Sequence, residues 1–318
     1  MESQNFEFHK NAVASFCFKS IIPIVSVIIT LQLFCTEASA KNKFRELVAE
    51  GSKPEKLAGD FKFTEGPACD RNGNIFFTDQ PNNRIMKWST DGKLSLFKDH
   101  SGRANGTYFD KRGNLITCSD EKNELWSISP DGKVTVLVTD FEGKKLNGPN
   151  DLWIAPDGGI YITDPFYKRS WWDHDKPELE HQDIYYLAPG AVKLTKAADN
   201  FEQPNGIIGT PDGKYLYVAD IRAKKTWRYN IGKKGILTRK KLFAEQGSDG
   251  MTIDNQGNIY MTGNGVTVFN NEGALILKIA TAESWTTNVC FGGKDRHLLF
   301  ITTEKSVFGI RMKVRGVE

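Results

Sequence analysis

Six times along the chain, a turn rich in Asp and Gly leads into a short strand of β-branched and aromatic residues. The segments are DRNGNIFFTD from Asp70, DKRGNLITCSD from Asp110, PDGGIYITD from Pro156, PDGKYLYVAD from Pro211, DNQGNIYMTG from Asp254 and GGKDRHLLFITT from Gly292. Such turns beside β-rich runs predict hairpins. Their spacing of about 40 to 55 residues is that of propeller blades. A further strand and usually a further turn follow each one, as in RIMKWSTDGKLSLF and ELWSISPDGKVTVLV, with no amphipathic helix between. The pattern predicts an all-β, six-bladed β-propeller over residues 41–318. The last unit, ending SVFGIRMKVRG, lacks an outer strand, and FRELVAEGSKPEKLA near the start is expected to supply it. Closure matters because an open ring leaves strand edges unpaired. Two stacked β-sandwiches would also give short strands, but they give no reason to repeat one turn motif six times.

The first 40 residues follow another pattern. Lys10 and Lys19 precede the apolar run Ile21–Cys35, and Ala38-Ser39-Ala40 closes it. This reads as a secretory signal peptide over 1–40, cleaved after Ala40, and places the protein in the periplasm or outside the cell. The run contains Pro23 and falls short of the roughly 20 residues of a spanning helix, so no stable membrane insertion is expected after cleavage. A membrane anchor and a lipoprotein at Cys35 are the alternatives, and the bulky Phe34 argues against lipid attachment. The chain of 318 residues is 39% hydrophobic and 25% charged, ordinary for a globular protein with a sizeable core. A net charge of +3, without a long block of like charge, points to neither nucleic acid nor an anionic membrane. Beyond the leader, Cys69, Cys118 and Cys290 have neither disulfide nor metal spacing and read as small buried hydrophobes.

In a propeller the innermost strand of each blade lines a central channel. The segments just before the six turns are TEGPACD, ANGTYFD, GPNDLWIAPD, QPNGIIGTPD, SDGMTIDNQG and TTNVCFGG. Each brings an acid or an amide, namely Glu65, Asn105, Asn150, Asn205, Asp249 and Asn288, usually followed by Gly or another polar residue. Superposed units would set all six at one end of the channel. Mixed carboxylate and amide oxygens suit a hard divalent cation such as Ca²⁺, and without one Glu65 and Asp249 would repel each other. The plainer alternative is that these residues only shape turns. The next strands end in Asp79, Asp120, Asp164 and Asp220, an outer acidic ring that supplies acid/base groups or, for at least two of them, holds loop backbone. An insertion between Asp164 and Asp183 carries Tyr167, Lys168, Arg169, Trp171 and Trp172. It either covers a polar ligand or packs on a neighbouring blade.

FTEGPACDRNGNIFFTD, NRIMKW, ANGTYFD, LNGPNDLWIAPDGGIYITDPFY, QPNGIIGTPDGKYLYVAD and SDGMTIDNQGNIY, in this order, resemble the senescence marker protein/gluconolactonase/luciferin-regenerating-enzyme-like family over nearly all of the chain after the leader. The resemblance implies a six-bladed propeller with one divalent metal, commonly Ca²⁺, at the channel end, and hydrolysis of sugar lactones such as gluconolactone. By motif it implies Glu65, Asn150, Asn205 and Asp249 as metal ligands, with Zn²⁺, Mg²⁺ or Mn²⁺ as other candidate ions. It also implies Asn105 and Asn150 as substrate contacts. Animal-type members carry an Arg where this chain has Gly148, so Arg103 or the insertion is expected to stand in for it. Asp249 is the first choice of catalytic base, with an Asp of the outer ring as runner-up. The chain has no G-x-S-x-G elbow, and His100, His174, His181 and His297 lie outside the inner-strand motifs, which argues against a Ser–His triad. The alternatives are a secreted propeller that binds sugar or peptide without turnover, and an esterase for other esters, organophosphates included.

Overall fold

The structure, a computed structural model, describes residues 46–317. The leader read over residues 1–40 lies outside the described residues. Among the described residues six four-stranded antiparallel sheets, each counted from the axis outwards, make the fold, with one two-stranded ribbon of Asp140–Phe141 and Lys144–Lys145 beside them. Their inner strands are Thr64–Cys69, Ala104–Phe109, Leu152–Ile154, Pro204–Gly209, Met251–Ile253 and Thr286–Gly292 in blades 1 to 6. Each second strand is the one foreseen after an Asp/Gly turn, for example Ile75–Asp79 and Tyr215–Asp220.

Blade 6 takes three strands from the C-terminal end of the chain and its outermost, Glu55–Ala58, from the N-terminal side. Glu55 pairs with Gly309 and Lys56 with Phe308, and a bridge between Val48 and Met312 extends the seam. This is the expected closure. Leu47 and Val48 are buried beside it, and each such side chain contributes about 1.5–3 kcal/mol. Removing the chain through Ala58 is therefore expected to lower the melting temperature by about 10 °C or more and to cause aggregation through the bared strand edge, read by thermal unfolding with light scattering.

The core lies between the faces of adjacent blades. Tyr161 of blade 3 is fully buried, packs against Tyr186 at 4.7 Å, and sends its hydroxyl to the Gly235 carbonyl of blade 4 at 2.9 Å. Cys69, Cys118 and Cys290 are buried in this core. Among the described residues the inner strands of different blades share no ladder, and buried threonines, two on inner strands and Thr78 on a second strand, bridge adjacent blades. Thr107 donates to the Gly66 carbonyl at 2.6 Å, Thr78 to Asn105 at 3.1 Å, and Thr287 to Thr64 at 2.6 Å. These bonds satisfy carbonyls that would otherwise be buried unpaired.

Candidate functional site

The six polar residues form a closed ring around the channel, and the residue after each one shows how tight the ring is. A β-carbon on Gly66 would lie 2.1 Å from the Asn105 carbonyl oxygen, and one on Gly106 2.6 Å from that of Asn150. One on Gly206 would come to 3.0 Å from the Asp249 carbonyl, and one on Gly250 to 2.0 Å from the Asn288 amide. The circuit closes where Asn288 donates its amide to Glu65 Oε2 at 3.0 Å. Glycine thus follows the polar residue in four blades because each inner strand leans on the next. Blades 3 and 6 break the rule, blade 6 with Val289 after Asn288. In blade 3 Asp151 follows Asn150, buried, with the Leu152 amide donating to it at 2.9 Å. Asp151 is a site residue that the motif reading missed. Its mark in the sequence is a charge where four other blades have glycine.

Glu65, Asn105, Asn150, Asn205 and Asn288 are each buried, and Asp249 is half-buried. The Asn205 amide nitrogen donates to Asp249 Oδ1 at 2.8 Å and to the Tyr167 hydroxyl at 2.9 Å. Trp285 donates to Asp249 Oδ2 at 3.2 Å. The side-chain oxygens of Asn105 and Asn205 are buried without a hydrogen-bond partner, an arrangement that costs stability unless something else satisfies them. Burial, together with the charges of Asp249 and Asp151, holds the Glu65 carboxyl well above its ordinary range. Burial raises Asp249 as well, and burial raises Asp151 to about 8. Three carboxyls and two orphaned amide oxygens at one channel end match the donor set of a hard dication. No three His, Cys, Asp or Glu side chains among the described residues are arranged to hold a metal by themselves, so a cation here depends on the amides.

The outer aspartates divide into two kinds. Asp79 accepts the Lys62 and Phe63 amides, Asp164 those of Asn147 and Gly148, and Asp220 those of Glu202 and Gln203. Each clamps the loop that enters its own inner strand. Asp120 does not, because Asn83 accepts the Arg103 amide in its place at 2.7 Å. Asp120 instead pairs with Arg169 at 2.9 Å and accepts the Gln80 amide at 3.1 Å. Burial lifts it to about 6 despite Arg169.

The insertion between Asp164 and Asp183 both packs on blade 2 and reaches the site. Tyr167 reaches Asn205, Arg169 reaches Asp120, and Trp172 donates to the Asp120 carbonyl at 2.6 Å. Trp172 also fills the space before Gly148, where a β-carbon would stand 2.9 Å from its ring. Arg103 has its guanidinium on the Pro81 carbonyl at 2.8 Å and stacked 4.7 Å over Trp171. The insertion's own Arg169, stacked over Tyr167 and Trp171, stands nearer the ring, and its charge is felt by Asp249.

The family model for the SMP-30/gluconolactonase/LRE-like region matches residues 63–305, from the first inner strand to the last blade. The chain belongs to that family. The gluconolactonase of Zymomonas mobilis is 28% identical over 93% of this chain and 96% of its own. The diisopropyl-fluorophosphatase of Loligo vulgaris is 25% identical over 69% and 78%. Among solved structures, a structural-genomics target superposes with a TM-score of 0.81 at 32% identity, covering 87% of this chain and 97% of that one. The gluconolactonase of Xanthomonas campestris gives 0.78 at 28%, covering 83% and 91%. These superpositions bear out the six-bladed propeller.

Proposed function

We propose that this member of the SMP-30/gluconolactonase/LRE-like family is a metal-dependent hydrolase of sugar lactones. One observation carries the reading: oxygen donors from separate blades meet at one channel end with more acid than their neighbours neutralise. Glu65, Asn150, Asn205 and Asp249 would hold the cation, Ca²⁺ first among candidates. A dication so held would polarise a lactone carbonyl and acidify water. Asp249, oriented by Asn205 and Trp285, accepts the proton of the attacking water. Asn288 fixes Glu65, and Asn105 offers its unpartnered oxygen to a substrate hydroxyl. Tyr167 and Arg169 form one wall. The leader supports export to the periplasm or the exterior. The test is turnover of aldonolactones before and after chelation. Loss on chelation with recovery on adding Ca²⁺ is expected, and activity in fully metal-free protein would refute the reading. The similarity to a phosphofluoridate hydrolase supports a second reading, an organophosphate ester as substrate, and the same assays include one. Binding of a sugar lactone without turnover of any ester would leave the binding-propeller alternative.

The acids also set a pH dependence. A carboxyl whose folded pKa is raised favours the protonated form on folding. The unfolded chain ionises first as pH rises, so stability is highest below about 4 and falls until the folded group ionises. For Asp151 that window runs from about 4 to about 8. Metal-free protein is thus expected to unfold at lower urea at pH 8 than at pH 5, and saturating Ca²⁺ to shrink the difference. Equal midpoints in metal-free protein would contradict it.

A further inference from the structure

The net charge of +3 conceals a strong local asymmetry. From Arg222 to Lys241 the chain carries nine Lys and Arg and no acid, which leaves the rest of the molecule at −6 (three less nine). These cations sit on the two outer strands of blade 4, Lys225–Ile231 and Leu237–Ala244, and on the turns beside them. All are exposed except the half-buried Arg228. None of the nine is in an ion pair among the described residues. A lysine or two on an edge strand would be enough to discourage strand pairing, but this arrangement goes further, at a cost to the fold. Arg228 lies directly opposite Lys241 across the strand pair, where like charges destabilise. Lys224, Lys234 and Arg239 adopt left-handed backbone with φ of 52°, 57° and 54°, where Gly or Asn is less strained.

We propose that the outer edge of blade 4 docks on an anionic lipid surface. The absence of a strong field, expected from net charge, holds for the whole molecule and fails for this edge. Aliphatic side chains stand among the cations. Ile236, at the hairpin tip beside Lys233 and Lys234, is 61% exposed, and Leu242 is 38% exposed. Ammonium groups around a protruding aliphatic residue suit the boundary of headgroups and acyl chains. A single-stranded nucleic acid would call for open aromatic faces, and Lys240 covers those of Trp227 and Tyr229 at 4.7 and 5.9 Å. The opposite charge of the rest of the molecule orients this edge toward the anionic surface. The edge is the rim of the disc, away from the ring of Glu65 and Asp249, so docking leaves the channel mouth clear.

The test is co-sedimentation of the full chain with phosphatidylcholine vesicles and with vesicles in which about a third of the lipid is phosphatidylglycerol. The leader, with Lys10 and Lys19 before its apolar run, adds the same component to every variant, so the readout is how the difference between the two vesicle types changes from variant to variant. Binding to the anionic vesicles is expected to exceed the neutral by at least about tenfold and to vanish at about 0.5 M salt. Lys233→Glu with Lys241→Glu should abolish the difference, while Lys278→Glu with Lys294→Glu, elsewhere on the surface, should keep most of it. Ile236→Ser should weaken binding and leave its salt dependence unchanged. Equal binding to both vesicle types, indifference to salt, or equal loss in both double variants would overturn the proposal. Tighter binding to DNA than to vesicles at the same salt would also overturn it.

Discussion

Glu65→Gln is expected to lower lactone turnover by about a thousandfold, the scale of several kcal/mol of electrostatic help in the transition state. The same substitution should raise the stability of metal-free protein. Glu65 is buried, and among the described residues its direct hydrogen bonds come from the Gly66 amide and the Asn288 amide, while the charges of Asp249 and Asp151 push against it. An amide there removes the repulsion and keeps an acceptor. With Ca²⁺ the order should reverse, since the native protein gains from an ion that binds only the folded state and the variant forfeits a charged ligand. Thermal unfolding of both proteins with and without Ca²⁺ measures the crossing. Curves that keep one order in both conditions would show that Glu65 has no part in holding a cation.

Gly66→Ala is expected to destabilise the fold by about 3 kcal/mol or more, a drop of roughly 6–12 °C for a domain of this size. Two costs add. Gly66 has φ of +43°, a left-handed conformation that costs other residues about 1–2 kcal/mol. The new methyl would also press on the Asn105 carbonyl oxygen at 2.1 Å, and overpacking of a tight interior adds about 1–3 kcal/mol. Because the contact is with backbone of the next blade, relief requires moving blade 2 and with it Asn105. Turnover should therefore fall even at temperatures where the variant is folded. Gly132→Ala is the control: its backbone is also left-handed, but nothing lies within 4 Å of its β-carbon. An equal loss in the two variants would assign the whole effect to backbone strain and none to the packing of the ring.

The repeat was legible from residue order. A turn such as Asp70–Gly73 closes on itself, with the Asp70 carboxylate accepting the Asn72 and Asn74 amides, so its chemistry is local and recurs visibly. Six such turns specify six blades, and an unpaired last strand specifies closure by residues near Glu55. The ring members were legible because each stands four to six residues ahead of its turn. Asp151 escaped notice because it stands where four other blades have glycine. Four strand-end aspartates look alike in sequence, yet only three clamp their loops, since Asn83 from the neighbouring blade relieves Asp120. The sequence offered Arg103 or the insertion in place of the Arg missing at Gly148, and only the fold showed Arg103 bonded to Pro81 and the insertion's Arg169 acting on Asp249. The basic edge of blade 4 was written in the chain, but only pairing of its two outer strands set Arg228 against Lys241. Local turn and strand chemistry depends on neighbours a few residues away, and the sequence states it outright. Which side chains meet between blades depends on how the sheets twist and lean together, and that is decided only when the ring closes.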